Sequence, residues 1–293
     1  MGTELRPVES DADYAAWRQV RIAVVPGERC DTAAELRRAA TPERLLLLAT
    51  SDGELAGSGV ADLSQLGGGF VAPRVLPELR RRGTGSTLLR ALASHLVQLG
   101  LADARATVDD APSLAFAHRF GFTEIGRQVE QTRQIGPEPH PGRPPGGVQI
   151  VLASDRPGLW DDCYAGFGQQ VLADFAVPSA MRVSRAEWTG SWAGDPMFLA
   201  LHDGEVIGCA GLQRDTDKTG RAEHALTAVR RDWRHRGIAA YLKRLTLHWA
   251  AAHGISGVYT WTQQGNQQMR RLNELLGYGY GQESVSVSRP LPM

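Results

Sequence analysis

The sequence predicts two consecutive α/β domains, each with a mixed β-sheet flanked by helices. The chain has 293 residues, and a length of roughly 100 to 200 residues per domain suits two domains. The segment from Gly136 to Gly147 is rich in proline and glycine and lacks apolar periodicity, which predicts a linker. We therefore expect an N-terminal domain at 1–135, the linker at 136–147 and a C-terminal domain at 148–293.

An internal repeat supports this division. The same ordered signals occur on both sides of the linker at a nearly constant spacing, which indicates a duplicated domain. The matching blocks are Asp52-Gly53-Glu54 with Asp203-Gly204-Glu205, Val75 and Arg80 to Gly85 with Val229 and Arg234 to Ala239, and Gly121-Phe122 with Gly277-Tyr278.

Each half predicts the same order of elements. Amphipathic helices come first, at about 11–25 and 32–40 in one half and at about 159–174 and 184–192 in the other. A hairpin follows and turns at the Asp-Gly pair. A strand then runs into the glycine loop, and a helix, a further strand, a short helix and a last strand complete the half. A hairpin and a strand–helix–strand crossover in one sheet make that sheet mixed.

Composition excludes several broad function classes. The 32 basic residues balance the 32 acidic ones, which removes the electrostatic case for general binding to nucleic acid or to a membrane surface. No apolar run approaches the roughly 18 residues of a membrane span, and the opening residues lack a charged-then-apolar leader. Three scattered cysteines are too few for a disulfide framework or a zinc site. We expect a cytoplasmic protein with no metal and no nucleic-acid or membrane partner.

The two glycine loops carry the strongest chemical signal. Each lies between an apolar strand and an amphipathic helix, where small residues allow a close approach and the first helical N–H groups lack helical partners. With the helix dipole, such a turn forms a cradle for a pyrophosphate. The alternative is a glycine turn with a solvated arginine cluster, and two loops in register argue against it.

These motifs resemble the GNAT superfamily of acyl-CoA-dependent N-acetyltransferases, whose signature is Arg/Gln-x-x-Gly-x-Gly/Ala after a strand that ends in valine. The C-terminal run looks like a tandem GNAT subgroup of GC-rich bacteria. The resemblance implies that the loops bind the pyrophosphate of acetyl-CoA, or of another acyl-CoA, and that the preceding strand pairs with pantetheine. The cofactor-binding residues it implies are Val75, Arg80, Arg81, Arg82, Gly83, Thr84 and Gly85, then Thr227, Ala228, Val229, Arg234, His235, Arg236, Gly237, Ile238, Ala239 and Asn266. Asn266 is also a candidate helix cap.

Glu223 is the candidate general base for removing a proton from an attacking amine. It lies six residues before Val229 on the same strand, so regular alternation places both side chains, with Thr227, on one face. Several GNAT enzymes have a catalytic glutamate at this place. The matching N-terminal residue is Gly69, which cannot accept a proton. The alternative is that Glu223 is a solvated residue at a strand start.

The general acid is missing where the family usually has a tyrosine. Ala117 takes that position in one half and Asn273 in the other. Asparagine can donate a hydrogen bond to a sulfur or accept one, but it cannot deliver a proton. We expect His224 to be structural, and Lys243 to be either an exposed helix former or a phosphate contact.

The function that these observations predict is acetyl transfer from acetyl-CoA to an amine of a small molecule, by direct attack in a ternary complex. The C-terminal half is the expected catalytic half because it carries Glu223 where the N-terminal half has Gly69, and the candidate catalytic residues are Glu223 and Asn273. Two alternatives stay open: a non-catalytic protein that binds acyl-CoA, and an O-acyltransferase that uses another acyl group. We expect a monomer, because two fused domains can satisfy the pairing that single-domain relatives achieve as dimers.

Overall fold

The computed structural model describes residues 2–156, 158–175, 177, 181–190, 192–215 and 220–293. The chain forms two compact units. The first unit comprises Met1–Arg127 and Ser284–Met293, and the second comprises Gln128–Glu283.

The first unit contains a mixed sheet in the order β1-β2-β3-β4-β5-β12. Antiparallel pairs run from β1 to β4, and β4 and β5 are parallel because α3 crosses between them. The elements are β1 (Thr3–Pro7), α1 (Asp11–Val24), α2 (Ala33–Arg38), β2 (Leu45–Ser51), β3 (Glu54–Leu63), β4 (Gly69–Val75), α3 (Thr84–Gln98), β5 (Asp103–Val108) and α4 (Ala111–Arg119), with β12 (Gly279–Pro290) entering from the end of the chain.

The second unit repeats this plan with a sheet in the order β6-β11-β10-β9-β8-β7. Here β10 and β11 are parallel and α8 crosses between them. The elements are β6 (Thr123–Gln134), β7 (Gln149–Leu152), α5 (Leu159–Asp162), α6 (Gln169–Ala173), α7 (Arg185–Gly190), β8 (Met197–His202), β9 (Glu205–Arg214), β10 (Arg221–Val229), α8 (Ile238–Ala252), β11 (Gly257–Gln263) and α9 (Gln267–Leu275).

The last strand of each sheet comes from a distant part of the chain. In the first unit, residues 285–290 of β12 lie antiparallel to β5. In the second unit, residues 128–134 of β6 lie antiparallel to β11. The predicted domains at 1–135 and 148–293 therefore differ from the compact units by these exchanged strands. Strand partners are set by non-local pairing, which the repeat in the sequence does not record.

The predicted linker at 136–147 contains no helix or strand, as its composition indicates. It nevertheless lies within the second unit and contacts α8. The Tyr241 hydroxyl donates to the Gly142 carbonyl oxygen at 3.1 Å, and the His248 ring nitrogen Nδ1 lies 2.8 Å from the Glu138 carbonyl oxygen. Proline and glycine exclude regular structure here, but they leave the carbonyl groups able to accept hydrogen bonds.

The crossover helices pack on their sheets through the predicted apolar faces. Leu88, Leu92 and Leu96 of α3 are buried against β2 to β5. In the second unit, Leu242 and Leu245 of α8 pack on β8 and β9. This packing fixes the N-terminus of each helix at the end of the strand that precedes it, and so positions the two glycine loops.

Candidate active site

The two glycine loops have the same backbone geometry. Each begins with a short 3-10 turn, at Pro77–Leu79 and at Arg231–Trp233. Gly83 and Gly237 then adopt left-handed conformations with φ of 93° and 80° and directly precede α3 and α8. Substitution at either glycine introduces backbone strain, because side chains disfavour positive φ. The repeat in the sequence is therefore a repeat of structure.

The arginine of each motif braces the strand that precedes its loop. Arg80 donates from Nε to the Val75 carbonyl oxygen at 3.2 Å, and Arg234 donates in the same way to Val229 at 3.0 Å. This bond explains the constant five-residue spacing between valine and arginine in the two motifs.

The loops present open backbone donors, as the phosphate-cradle hypothesis requires. Apart from the two chain neighbours, the described residues place no heavy atom within 4 Å of a Cβ built on Gly83 or Gly237. The helical N–H groups begin their internal bonding with Tyr241 in α8, whose N–H donates to the Gly237 carbonyl oxygen at 2.9 Å. The preceding N–H groups of Ile238 and Ala239 are left for an external acceptor. A pyrophosphate fits such a helix N-terminus.

The arginines of the second loop are less available for phosphate than the sequence suggests. Arg234 and Arg231 both form ion pairs with Asp174, which follows α6. The guanidinium of Arg236 lies over the Trp233 ring at 4.4 Å. Asp174 is distant from both arginines in the sequence, so local sequence patterns do not predict these ion pairs. The phosphate-cradle hypothesis therefore depends on the backbone N–H groups of this loop more than on its arginines.

The parallel strands of each unit part toward the loop. In the second unit, β10 and β11 pair from Arg221 to Glu223 and then separate. In the first unit, β4 and β5 pair only at Gly69 and Phe70 among the described residues. Such a separation opens a cleft lined by strand peptide groups, in which a pantetheine chain can form hydrogen bonds.

A β-bulge in β10 changes the predicted face of Glu223. The register against β9 shifts by one residue between His224 and Thr227. Val229 packs with Ile238 of α8, whereas Leu226 and Ala228 pack in the cluster on the other face. The prediction that Glu223 shares a face with Thr227 and Val229 is therefore wrong.

Glu223 lies on the face of the sheet opposite to α8. Its neighbours in sequence, Ala222 and His224, both face α8: Ala222 packs with Leu247, and the His224 ring contacts Thr246. Alternation then places Glu223 on the side of Leu226 and Ala228. This is the face covered by the helices that precede the second hairpin.

Because of this bulge, the residue of the first unit that is equivalent to Glu223 is not the one that the sequence spacing predicts. The β3–β4 register is regular, and Phe70 lies opposite Asp62 just as Glu223 lies opposite Gln213. Phe70 is thus the structural counterpart, and Gly69 corresponds to Ala222. A Cβ on Gly69 would approach the Leu96 side chain of α3 within 2.3 Å, so Gly69 faces the helix. The first unit still lacks a carboxylate here.

The two clefts differ in one backbone N–H donor. The Arg230 N–H donates to Ile207 in β9, so the alternating pattern turns the peptide groups of Thr227 and Val229 toward β11. The Leu76 N–H likewise donates to Ala56, which turns residues 73 and 75 toward β5. Position 73 is proline and has no N–H. Thr227 supplies a cleft donor that the first unit lacks.

Asn273 lies in a buried polar cluster between α9, β11 and β6. Its side chain is fully buried, and its Nδ2 donates to Gln131 Oε1 at 2.8 Å. Within the described ranges, neither Asn273 Oδ1 nor Thr227 Oγ1 has a hydrogen-bond partner. Asn273 therefore stays a proposed contributor through a hydrogen bond. The sequence does not predict the contact between Gln131 and Asn273, because the position of Gln131 opposite β11 depends on the exchanged strand.

Two further buried groups lie between β10 and α8. His224 is buried and forms hydrogen bonds with Tyr278 and Thr246, as its predicted structural role requires. Lys243 is 1% exposed, so the expectation of an exposed helix former or phosphate contact is wrong. Lysine on an amphipathic helix normally reaches solvent, and the sequence gives no sign that this one lies on the sheet side.

Asn266 and the aromatic residues of the preceding helices have structural roles. Asn266 caps α9, because its Oδ1 accepts from the Met269 N–H at 3.2 Å. Trp160 and Trp188 stack at 4.2 Å, and each indole N–H donates to the other residue's carbonyl oxygen at 2.8 Å. These two indoles are core groups whose polar atoms are already satisfied.

Over the residues that the structure describes, no group of three or more His, Cys, Asp and Glu side chains is placed to hold a metal ion. The helices within those same ranges are all too short or too polar to cross a bilayer.

Comparisons with known proteins agree with this architecture. A family model described as "Acetyltransferase (GNAT) family" matches residues 13–122 and again residues 160–278. A mycothiol acetyltransferase from Thermomonospora curvata is 29% identical over 252 residues, which are 84% of this chain and 82% of that protein. A second mycothiol acetyltransferase, from Brachybacterium faecium, is 26% identical over 234 residues, 77% of this chain and 69% of the relative.

Solved structures show the same fold. A GCN5-related N-acetyltransferase from Sphaerobacter thermophilus has a TM-score of 0.75 at 19% identity and covers 98% of this chain and 95% of its own. A tandem GNAT protein from the clavulanic acid biosynthesis pathway has a TM-score of 0.77 at 20% identity and covers 100% of both chains. With two family matches, each containing one parted strand pair and one glycine loop, this chain belongs to the GNAT acetyltransferase family and is a tandem N-acetyltransferase.

Proposed function

We propose that the second unit transfers the acetyl group of acetyl-CoA directly to an amine of a small molecule. The observation that carries this proposal is that one strand, β10, carries both the carboxylate of Glu223 and the N–H of Thr227, which faces the cleft. The first unit has Phe70 and Pro73 at the equivalent positions. One carboxylate and one amide donor thus distinguish two otherwise similar clefts.

Glu223 acts as the general base in this proposal. It lies on the face away from α8, and the bulge brings Leu226 and Ala228 to that same face, where the helices preceding the second hairpin lie. An amine bound on that face gives up a proton to the carboxylate as its nitrogen attacks the thioester carbon. Placement of the base on the acceptor side is what the reaction needs.

The Thr227 N–H stabilises the charge that develops on the thioester oxygen. It points into the opening between β10 and β11, just past the last paired residue, Glu223. A fixed backbone donor in a site that excludes water contributes strongly to such stabilisation. The open N–H groups of the loop after β10 hold the pyrophosphate, and so fix the position of the thioester along the cleft.

The first unit keeps a loop of the same geometry, so we propose that it binds CoA without catalysing transfer. Proline at position 73 removes the donor, and phenylalanine at position 70 cannot accept a proton. The acceptor belongs to the class of small-molecule amines. Because two relatives bear the name mycothiol acetyltransferase, the acceptor of those enzymes belongs in any test panel.

The test is Glu223→Gln, assayed by release of free thiol from acetyl-CoA with a panel of amines across a range of pH. We expect kcat to fall about 100-fold near neutral pH and less at high pH, where the amine loses its proton without help. Phe70→Leu is the matched control in the first unit and leaves kcat unchanged. An unchanged kcat in Glu223→Gln at every pH would remove Glu223 from the mechanism.

The same assay separates the proposal from its alternatives. A wild-type chain that binds CoA by calorimetry but releases no thiol with any amine is the non-catalytic binding protein. Thiol release with alcohols and not with amines identifies an O-acyltransferase. Only thiol release that depends on an amine supports the proposed function.

A further inference from the structure

We propose that Lys243 is the proton donor for the leaving thiolate, and that its ammonium group lies beneath the point where β10 and β11 part. This proposal rests on the proposed function of the second unit. It assigns the step for which the family's usual tyrosine is missing, since position 273 is asparagine and is fully buried.

Packing does not account for a cation at this place. Lys243 is 1% exposed, and no hydrogen bond or ion pair of its ammonium group occurs within the part of the chain that the structure describes. One aromatic contact is with the Tyr278 ring, whose centroid lies 5.5 Å from Nζ. An unpaired buried charge destabilises a fold, so a methionine here would stabilise the protein better. Such costly groups concentrate at functional sites.

The helix register places Lys243 at the opening of the cleft. Leu247 and Ala250 lie on the same stripe of α8 and pack with Ala222, where β10 still pairs with β11. Lys243 is one turn nearer the helix N-terminus, a distance of about 6 Å. Since α8 runs back along β10, this distance corresponds to about two strand residues beyond Ala222. That level is the start of the bulge, where the strands separate.

The groups around Lys243 cannot take its proton. The Thr246 hydroxyl donates to the Lys243 carbonyl oxygen at 2.8 Å, so it accepts from His224 Nε2 at 3.0 Å. His224 Nδ1 then accepts from the Tyr278 hydroxyl at 2.8 Å. The basic lone pair of this group, on His224 Nδ1, is therefore occupied, and the hydroxyl oxygens of Thr246 and Tyr278 are too weakly basic to take the proton. The charged groups near Tyr278, Arg133 and Glu138, form an ion pair with each other.

The acidity of Lys243 suits the transfer. Burial lowers the pKa of Lys243 from its ordinary value to about 7. A thiol has a pKa near 8.5, roughly 1.5 units higher, so the proton moves from nitrogen to sulfur with a favourable equilibrium. Burial and the neighbouring Lys243 hold the pKa of His224 well below its usual range, so the imidazole stays neutral. An exposed lysine would be too weak an acid for this step.

The step is balanced without a further reactant. The amine nitrogen bonds to the thioester carbon and its proton goes to Glu223. The carbon–sulfur bond breaks and its electron pair stays on sulfur, which takes the proton of Lys243. Lys243 is left as a neutral amine and regains a proton from water after the products leave. Glu223 returns its proton to water in the same interval.

The chain itself offers a direct test, because it has two lysines, Lys218 and Lys243. Protein labelled with carbon-13 at lysine Cε gives two lysine resonances, and Lys218→Met assigns the one that remains to Lys243. We expect this resonance to titrate near pH 7 and to shift on addition of CoA, but not of desulfo-CoA, which lacks the sulfur. A titration near the ordinary lysine pKa, or the same response to both ligands, would overturn the proposal.

Kinetics give the second readout. We expect Lys243→Met to lower kcat about 100-fold with little change in KM for acetyl-CoA, and to remove the fall of kcat at alkaline pH. An alkaline fall that persists in Lys243→Met contradicts a donor role. If this variant fails to fold, the resonance experiment on Lys218→Met still decides. A wild-type chain that transfers no acetyl group refutes the proposed function. The difference between CoA and desulfo-CoA in their effect on the Lys243 resonance tests the position of Lys243 separately, because it does not require acetyl transfer.

Discussion

Residues 285–290 belong to the core of the first unit, and a single core substitution there tests this. Val287 is fully buried and packs in the cluster that contains Leu88 and Leu92 of α3. Val287→Ala removes two methyl-sized groups at about 0.8 kcal/mol each and leaves a small cavity, for a loss of about 2 kcal/mol. That loss corresponds to about a 30-fold larger unfolded population of the first unit.

Hydrogen exchange measured by mass spectrometry locates the loss. We expect the slowest amides of β2 to β5 to exchange about 30-fold faster in Val287→Ala, whereas peptides from β8 to β11 keep their rates. Ser286→Ala is the matched control, since its side chain lies on the other face of the same strand and is half-buried. Faster exchange in the second unit, with no change in β2 to β5, would refute the assignment of this strand.

Three other predictions address the second unit and the loops. Between the unfolded pKa of 10.5 and the folded value of about 7, the unfolded chain holds a proton on Lys243 that the folded chain lacks, so stability falls as pH falls through this range. At pH 7, Lys243→Met should therefore raise the free energy of unfolding, measured by urea denaturation, by about 3 to 5 kcal/mol. A free energy equal to that of wild type would contradict the buried state of this lysine. Thr227→Pro should lower kcat about 100-fold by removing the cleft donor, whereas Pro73→Thr should leave it unchanged; equal kcat values in all three chains would exclude the donor role. Calorimetry should count two CoA molecules per chain, and one after either Gly83→Glu or Gly237→Glu, because a carboxylate and a strained backbone replace the open cradle; a wild-type count of one would show that one loop does not bind.

The sequence predicts the repeated parts of this fold well, because they depend on local geometry. The glycine turn before each crossover helix and the helix cap at Asn266 both follow from residue type and spacing. The face of Glu223 does not follow, because one bulged residue reverses the alternation and leaves no mark in composition. The burial of Lys243 and the pairing of Arg234 with Asp174 depend on tertiary packing. Local rules therefore locate the glycine loops, and only the assembled sheet shows which side chains lie beside the opening between the parallel strands.

The exchanged strands also affect the order in which the protein can mature on the ribosome. The second unit is complete once Glu283 has been synthesised, whereas the sheet of the first unit still needs residues 285–290. Folding during synthesis usually proceeds from the N-terminal domain onward. Here the N-terminal segment stays a partly formed intermediate, with this edge of β5 unpaired, until residues 285–290 have been synthesised. A chain cut at the linker would separate β5 from residues 285–290, so the first unit cannot complete its sheet from the N-terminal half alone.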